Sequence, residues 1–447
     1  MSDKLIQNAT IINEGISFKG DLLITGETIS AFGPPGQVKC PAGSEKTDAS
    51  GFILIPGVID DHVHFREPGL THKGDIYTES RAAAAGGVTS FMDMPNTIPQ
   101  TITLNDLEEK YSAGSERSLI NYSFYIGATG DNLDEIMKAD PQKVCGIKLF
   151  MGSSTGNMLV DNENSLRELF RTAKFPVAVH CEDDQTIKKN IETIRKKYGD
   201  DVPANFHPII RSREACYKSS LHAISLAKEF NTRLHILHLS TADEMKLFSS
   251  EEMLWEKRIT GEACVHHLWF DDADYEKLGV KLKINPAVKT KFDRESLING
   301  VNNDLIDVIA TDHAPHTVEE KSDSYFSSPS GAPMVQHSLT AMLELWHRKV
   351  FSLEKIVEKM CHNPAILFNI RKRGFIREGY KADLALIDPE HKWIVSGKNI
   401  LYKCGWSPLE GVTFRSKVVK TFVNGNLVYD YGDINEDYRG QRLEFDR

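Results

Sequence analysis

The chain has 447 residues, 40% of them hydrophobic and 26% charged, a globular mixture that excludes a disordered, collagenous or repeat-array protein. A net charge of −10 with no basic patch opposes attraction to nucleic acid or to an anionic membrane surface. Seven scattered cysteines without a C-x-x-C spacing argue against a disulfide framework and against a thiolate zinc site. No apolar stretch approaches the ~20 residues of a membrane span. Met1 to Glu14 carries Asp3, Asn8 and Glu14 and lacks the apolar run of an export signal, so the expected compartment is the cytosol.

In chain order, the first elements read as short strands separated by turns: Leu5 to Ile12, Leu22 to Thr25 and Thr28 to Phe32. From residue 53 the pattern changes to short apolar runs alternating with helical stretches, the mark of βα units. Eight candidate strands follow: Ile53 to His64, Val88 to Met94, Ile120 to Ala128, Val144 to Phe150, Val177 to Cys181, Leu234 to Leu239, Thr260 to Val265 and Ile306 to Thr311. Helical material such as Thr78 to Ala85, ending at Gly86-Gly87, separates them. Beyond them, Asp383 to Ile387 and the hairpin signal Val418 to Val423, Asn424-Gly425, Asn426 to Tyr429 return to short strands. Chain ends often lie close together, so the two β-rich ends can pair into one domain. The expected fold is α/β: a (β/α)8 barrel over residues 53–375 with a smaller, discontinuous β-sandwich domain formed by residues 1–52 and 376–447.

Barrels put their chemistry at strand C-termini, so reactive residues should sit where these runs end. The first strand ends in Asp61-His62-Val63-His64-Phe65-Arg66, and residues two apart share a strand face, so His62 and His64 can point together at one metal. The fifth run ends at His180, the sixth at His238 and the eighth at Asp312. Lys148 lies inside the fourth run, Gly146-Ile147-Lys148-Leu149-Phe150. A lysine buried there must snorkel, find a partner, lose its proton or be chemically modified. Reaction with carbon dioxide would turn it into an anionic two-oxygen ligand able to bridge two metals. The other histidines read as structural: His235 on the opposite side of strand six, His266 and His267 as loop packing, and His313 pointing away from Asp312. No G-x-G-x-x-G or Walker pattern indicates a nucleotide site.

A barrel with H-x-H on strand one, Lys on strand four, His on five and six and Asp on eight resembles the binuclear amidohydrolase superfamily. Within it, the text Asp61-His62-Val63-His64-Phe65-Arg66-Glu67-Pro68-Gly69, Met94-Pro95-Asn96-Thr97 and Asp312-His313-Ala314-Pro315-His316 closely resembles the dihydroorotase family, over residues 51 to about 390. Some bacterial dihydroorotases with similar text use an aspartate for the bridge; Lys148 resembles the lysine-bearing members. The resemblance implies reversible cyclisation of N-carbamoyl-L-aspartate to L-dihydroorotate in pyrimidine (UMP) biosynthesis, a hydrolase of cyclic amides working on a small molecule alone. It implies two divalent ions, zinc by expectation: His62, His64 and Asp312 holding one, His180 and His238 the other, with N6-carboxylated Lys148 as the bridge. A bridging hydroxide would attack the ring carbonyl, with Asp312 as general base and then acid.

Substrate choice needs further residues. Arg66, two beyond His64, can grip a carboxylate in bidentate fashion. By resemblance, Asn96 and His316 share that carboxylate, Asn285 meets the pyrimidine ring, and Ser330 and Gly331 offer backbone hydrogen bonds to it. Two alternatives stand beside this reading: a hydantoinase, dihydropyrimidinase or allantoinase with the same metals, and a noncatalytic barrel kept as a scaffold. The complete ligand set weighs against the scaffold, and Arg66 with Asn96 and His316 weighs against a substrate lacking the extra carboxylate. Barrel enzymes of this size often form homodimers, although no interface is legible here.

Overall fold

In the computed structural model, which describes residues 3–152, 158–160 and 162–447, the eight runs form a closed parallel barrel. Val58–Val63, Val88–Asp93 and Asn121–Phe124 make one parallel sheet. A second parallel sheet runs Ile126–Gly127, Ile147–Phe150, Val177–His180, Leu234–Ile236, Ile259–Cys264 and Val308–Ala310. The third barrel strand thus serves both sheets, one on each side of Tyr125. The last seam closes where Val63 bridges His313 and the His64 N–H donates to the His313 carbonyl at 2.7 Å. These strands are short, apolar and buried almost throughout, as strands covered on both faces must be.

Helices pack around the strands because their sequences place apolar residues at helical spacing and caps at the right ends. Leu104–Arg117 starts at a Thr103–Asp106 capping box and buries Leu107, Tyr111 and Gly114 against the barrel. Glu163–Thr172 starts at Asn162 and buries Leu166, Leu169 and Phe170, each contributing about 1.5–3 kcal/mol of transfer free energy. Among the described residues no helix is long and apolar enough to cross a membrane.

The two ends of the chain meet in a nine-stranded sheet. Its centre is the antiparallel pairing of Ile53–Pro56 with Leu384–Asp388, in the register Leu384↔Pro56 to Ile387↔Ile53. On the N-terminal side lie Lys4–Asn13, Ile16–Thr25 and Thr28–Gly33, and on the other Lys417–Val423, Asn426–Asp430 and Asp433–Ile434. The Asn424-Gly425 turn has φ of 47° and 73°, the doubly left-handed geometry of a two-residue hairpin. Ile6, Ile11, Leu22, Leu54, Leu384 and Phe422 share a separate small core.

One expectation changes here. The run Ile53 to His64 is not a single barrel strand; it breaks at Gly57, with Ile53–Pro56 in the nine-stranded sheet and Val58–Val63 in the barrel. At the crossing the Gly57 N–H donates to the Asp383 carbonyl, and a Cβ on Gly57 would stand 2.1 Å from Thr89 Oγ1. An uninterrupted apolar run conceals such a handover, because both sheets demand the same buried residues.

Candidate active site

The strand C-termini converge on one polar cleft of about 440 Å³. It is lined by His62, His64, Arg66, Asn96, Lys148, Phe150, His180, His238, Asn285, Asp312, Ala314, Ser330 and Gly331. Of the residues singled out from sequence, His316 alone stands one layer back, behind Arg66.

His62 and His64 leave strand one on the same side and meet the carboxylate of Asp312 from strand eight. Their Nε2 atoms lie 3.2 and 3.1 Å from the same Asp312 oxygen. The ligating atoms of this trio lie within 4.8 Å of one another, a compact donor set for one cation. Each imidazole is held by its other nitrogen. His62 Nδ1–H donates to Glu262 Oε1 at 2.9 Å and His64 Nδ1–H to Asn96 Oδ1 at 2.7 Å, which leaves both Nε2 lone pairs facing the cleft. Burial pushes the Asp312 carboxyl up, but His62, His64 and His266 together outweigh it and hold the group well below the usual carboxylate range. Burial lowers His64 to about 4, so its ring is neutral at physiological pH.

Across the cleft, His180 Nδ1 and His238 Nε2 stand 2.9 Å apart. His238 Nδ1 is buried without a hydrogen-bond partner among the described residues, and burial with the neighbouring His180 and His62 keeps this ring far below the ordinary histidine pKa. His180 Nε2 lies 3.2 Å from Glu182, whose carboxylate also receives Arg211. Burial raises Glu182, yet Arg211 and His180 bring it down to about 2.

Lys148 lies between the two groups. The residue is 1% exposed, its Nζ sits 4.6 Å from the centre of the Phe150 ring, and that Nζ has no hydrogen-bond or ion-pair partner among the described residues. Burial lowers its pKa to about 8, against the pull of Asp312 and Glu262. Three imidazoles held below the ordinary histidine pKa (His64, His180 and His238), His62, whose burial is outweighed by the Glu262 and Asp312 carboxylates that raise it, an ionised carboxylate and an amine that is easily deprotonated make a nitrogen and oxygen donor set suited to divalent cations.

The opposite wall is built from loops. Arg66, at a left-handed φ of 69°, is only 3% exposed and donates through Nε to the Pro315 carbonyl. Its guanidinium also touches His316 Nε2 at 3.1 Å. Lys73 donates to His316 Nδ1, and His316 Nε2 lies 3.0 Å from the Ser330 carbonyl. Burial and the neighbouring Arg66 and Lys73 hold His316 neutral. The loop carrying Ser330 and Gly331 is pinned by two lysines: Lys283 Nζ donates to the carbonyls of Tyr325 and Ser328, Lys321 Nζ to those of Lys283 and Pro329. Gly331 has φ of 140° and leaves no room for a Cβ beside Ala314. From the C-terminal segment, buried Trp406 donates its indole N–H to the His316 carbonyl at 2.8 Å.

Sequence reasoning missed Glu262. It is a wholly buried carboxylate in strand seven whose only textual signal is an acid among Thr260, Gly261, Ala263 and Cys264. His235 also differs from expectation. It lies inside the barrel, 3.3 Å from Asp61 of strand one and 3.7 Å from Glu262, rather than on the outer side. Alternation fails there because His238 takes φ of 41°, a left-handed kink that brings it to the inward side His235 already faces. His313 does point away, paired with Glu79 at 2.9 Å and receiving the backbone N–H of Met334. His266 and His267 are buried on the short helix Val265–Trp269, with His267 Nε2 donating to the Pro286 carbonyl.

Residues 53–428 match the amidohydrolase family. A dihydroorotase of Methanosphaera stadtmanae is 32% identical over 382 residues, covering 86% of each chain. An allantoinase of Deinococcus radiodurans is 32% identical over 451 residues, 99% of this chain and 98% of its own. The solved L-hydantoinase (dihydropyrimidinase) of Arthrobacter aurescens superposes with a TM-score of 0.91 at 27% identity, over 99% of this chain and all of its own. A closed barrel with its histidine and aspartate donors at the strand ends, matched along most of its length by these enzymes, makes the chain a member of the amidohydrolase family.

Proposed function

We propose that the protein is a dihydroorotase, opening L-dihydroorotate to N-carbamoyl-L-aspartate and closing it again. The observation that carries this reading is Arg66, a guanidinium buried in the cleft wall beside the histidine and aspartate cluster. A buried cation there is costly unless an anion meets it, and a cyclic amide bearing an extra carboxylate supplies that anion. Dihydroorotate has such a group; simple dihydropyrimidines do not.

In this reading His62, His64 and Asp312 hold one divalent ion, His180 and His238 a second, and Lys148, carboxylated on Nζ, stands between them. Zinc suits the nitrogen and oxygen donors. Bound there, the ions supply Lewis acidity toward the amide carbonyl and make water a nucleophile near neutral pH. The chain's own residues do the rest. Asp312, held ionised, takes the proton of the attacking water and passes it to the ring nitrogen as the amide bond breaks; in the reverse direction it takes a proton from the carbamoyl nitrogen. Arg66 and Asn96 orient the substrate carboxylate, with His316 holding Arg66 in place from behind. Asn285, whose Oδ1 has no hydrogen-bond partner among the described residues, and the backbone of Ser330 and Gly331 meet the ring.

The test is an assay of purified protein on L-dihydroorotate, allantoin and dihydrouracil, with metal quantified in the same sample. Turnover of dihydroorotate far above the other two, with close to two ions per chain, is the expected result. Faster opening of allantoin, the substrate named by the Deinococcus relative, or of dihydrouracil would overturn the assignment.

A further inference from the structure

We propose that Glu262 is the positioning residue that ties the two metal-binding halves of the cleft together; this rests on the metal assignment above. Its Oε1 accepts three donors: His62 Nδ1–H at 2.9 Å, the backbone N–H of His238 at 2.9 Å and the Cys264 thiol at 3.2 Å. One oxygen on strand seven therefore holds a side chain from strand one and the backbone of strand six.

The two contacts do different things. The bond to His62 fixes the proton on Nδ1 and so presents Nε2 as the lone-pair nitrogen, 3.2 Å from Asp312. The bond to His238 holds a non-glycine residue at φ of 41°, a strained conformation that persists only where neighbours enforce it. That kink is what turns the His238 ring inward to meet His180. Without Glu262, His62 could take either tautomer and His238 would relax toward an extended backbone, so a ligand of each ion would be lost at once. The second oxygen, Oε2, has no hydrogen-bond partner among the described residues and lies 3.7 Å from His235, which is itself 3.3 Å from Asp61. A competing role for Glu262 is thus merely to balance charge beside His235.

Three variants separate these roles: Glu262→Gln, Glu262→Ala and His235→Gln. In metal-free protein labelled with 15N-histidine and held at a pH alkaline enough for His62 to be uncharged, the wild type should show His62 as the Nδ1–H tautomer. Glu262→Ala should show a mixture, and Glu262→Gln, whose amide oxygen still accepts, should keep the wild-type form. In chelator competition with zinc, Glu262→Ala should lose about 10- to 100-fold in affinity for both ions. Glu262→Gln should recover most of this, and His235→Gln should stay near wild type. Retention of both ions by a folded Glu262→Ala, or a loss in His235→Gln equal to that in Glu262→Ala, would overturn the proposal. A wild type that binds no metal would instead remove the reading beneath it, while the tautomer measurement would still report whether Glu262 sets His62.

Discussion

The two walls of the cleft are made in different ways. The metal-side wall is carried by strands: His62, Lys148, His180 and Asp312 lie on or next to strand ends, and hydrogen bonds donated to Glu262 and Asn96 orient His62 and His64. The other wall, which the proposed function gives to the substrate, is carried by loops. Arg66, His316, Ser330 and Gly331 are placed by left-handed backbone, by two lysines aimed at carbonyls and by a tryptophan from the far end of the chain. Strand ends fix a shared metal chemistry, whereas loops can be re-cut for each substrate. The similarity of this chain to dihydroorotase, allantoinase and hydantoinase alike fits that division.

The largest effect should come from the metal-side wall. In the proposed function Lys148 bridges the two ions, so Lys148→Ala should lose metal and activity together, with turnover falling at least about a thousandfold. Full metal content in that variant would break the proposed division at its centre. On the other wall, Arg66→Ala should lower kcat/KM for dihydroorotate about a hundredfold, mainly through KM, with metal content unchanged. Metal loss there would mean that Arg66 belongs to the wrong wall.

Asn96 sharpens the comparison because it stands on both sides. Its Oδ1 orients His64, while in the proposed function the same side chain meets the substrate carboxylate. Asn96→Ala should therefore weaken metal affinity and raise KM, each by about tenfold to thirtyfold, where a residue of one wall would move only one.

Acidity tests the bridge again. Burial holds Lys148 at about 8, so its neutral, nucleophilic amine increases as pH rises through that value and falls about tenfold per unit below it. In metal-free protein given 13C-labelled bicarbonate, a lysine carbamate signal should strengthen from about pH 7 to about pH 9 and be absent in Lys148→Ala. Between about 8 and the unfolded-chain value near 10.4 the folded state binds fewer protons than the unfolded one, so this group makes the metal-free protein more stable as pH rises across that window. A signal independent of pH would sink the assignment. The smallest effect belongs to Trp406→Phe, which removes one indole bond behind His316 and should cost about 1 kcal/mol, seen as a few-fold rise in KM with kcat retained.

The strand-borne wall was legible in the sequence because periodicity and chemistry coincide there. An apolar run followed by His or Asp can be read without a fold in hand, and His62, His64, His180, His238 and Asp312 were found that way. The loop-borne wall was legible only through resemblance, since no spacing rule sends Arg66 toward Pro315 and His316. Residues that needed three dimensions were those whose partners lie far along the chain: Glu262, two hundred positions from His62, and Ile53–Pro56, whose pairing with Leu384–Asp388 no local pattern announces. His235 was misread because the alternation rule presumes a regular backbone up to His238, and that backbone is kinked.

The handover at Gly57 has a consequence for how the molecule is made. As the chain is synthesised, Ile53–Pro56 leaves the ribosome with one long edge open, and its partner Leu384–Asp388 follows only after the whole barrel has been translated. At ~5–20 residues per second that is an interval of roughly fifteen seconds to a minute during which a buried, apolar strand has no neighbour on that side. The barrel strands can close among themselves meanwhile, but the small core around Ile6, Leu22 and Leu54 waits for Leu384 and Phe422. Newborn chains should therefore be most prone to aggregation late in translation, with the N-terminal half-sheet rather than the catalytic barrel as the adhesive surface.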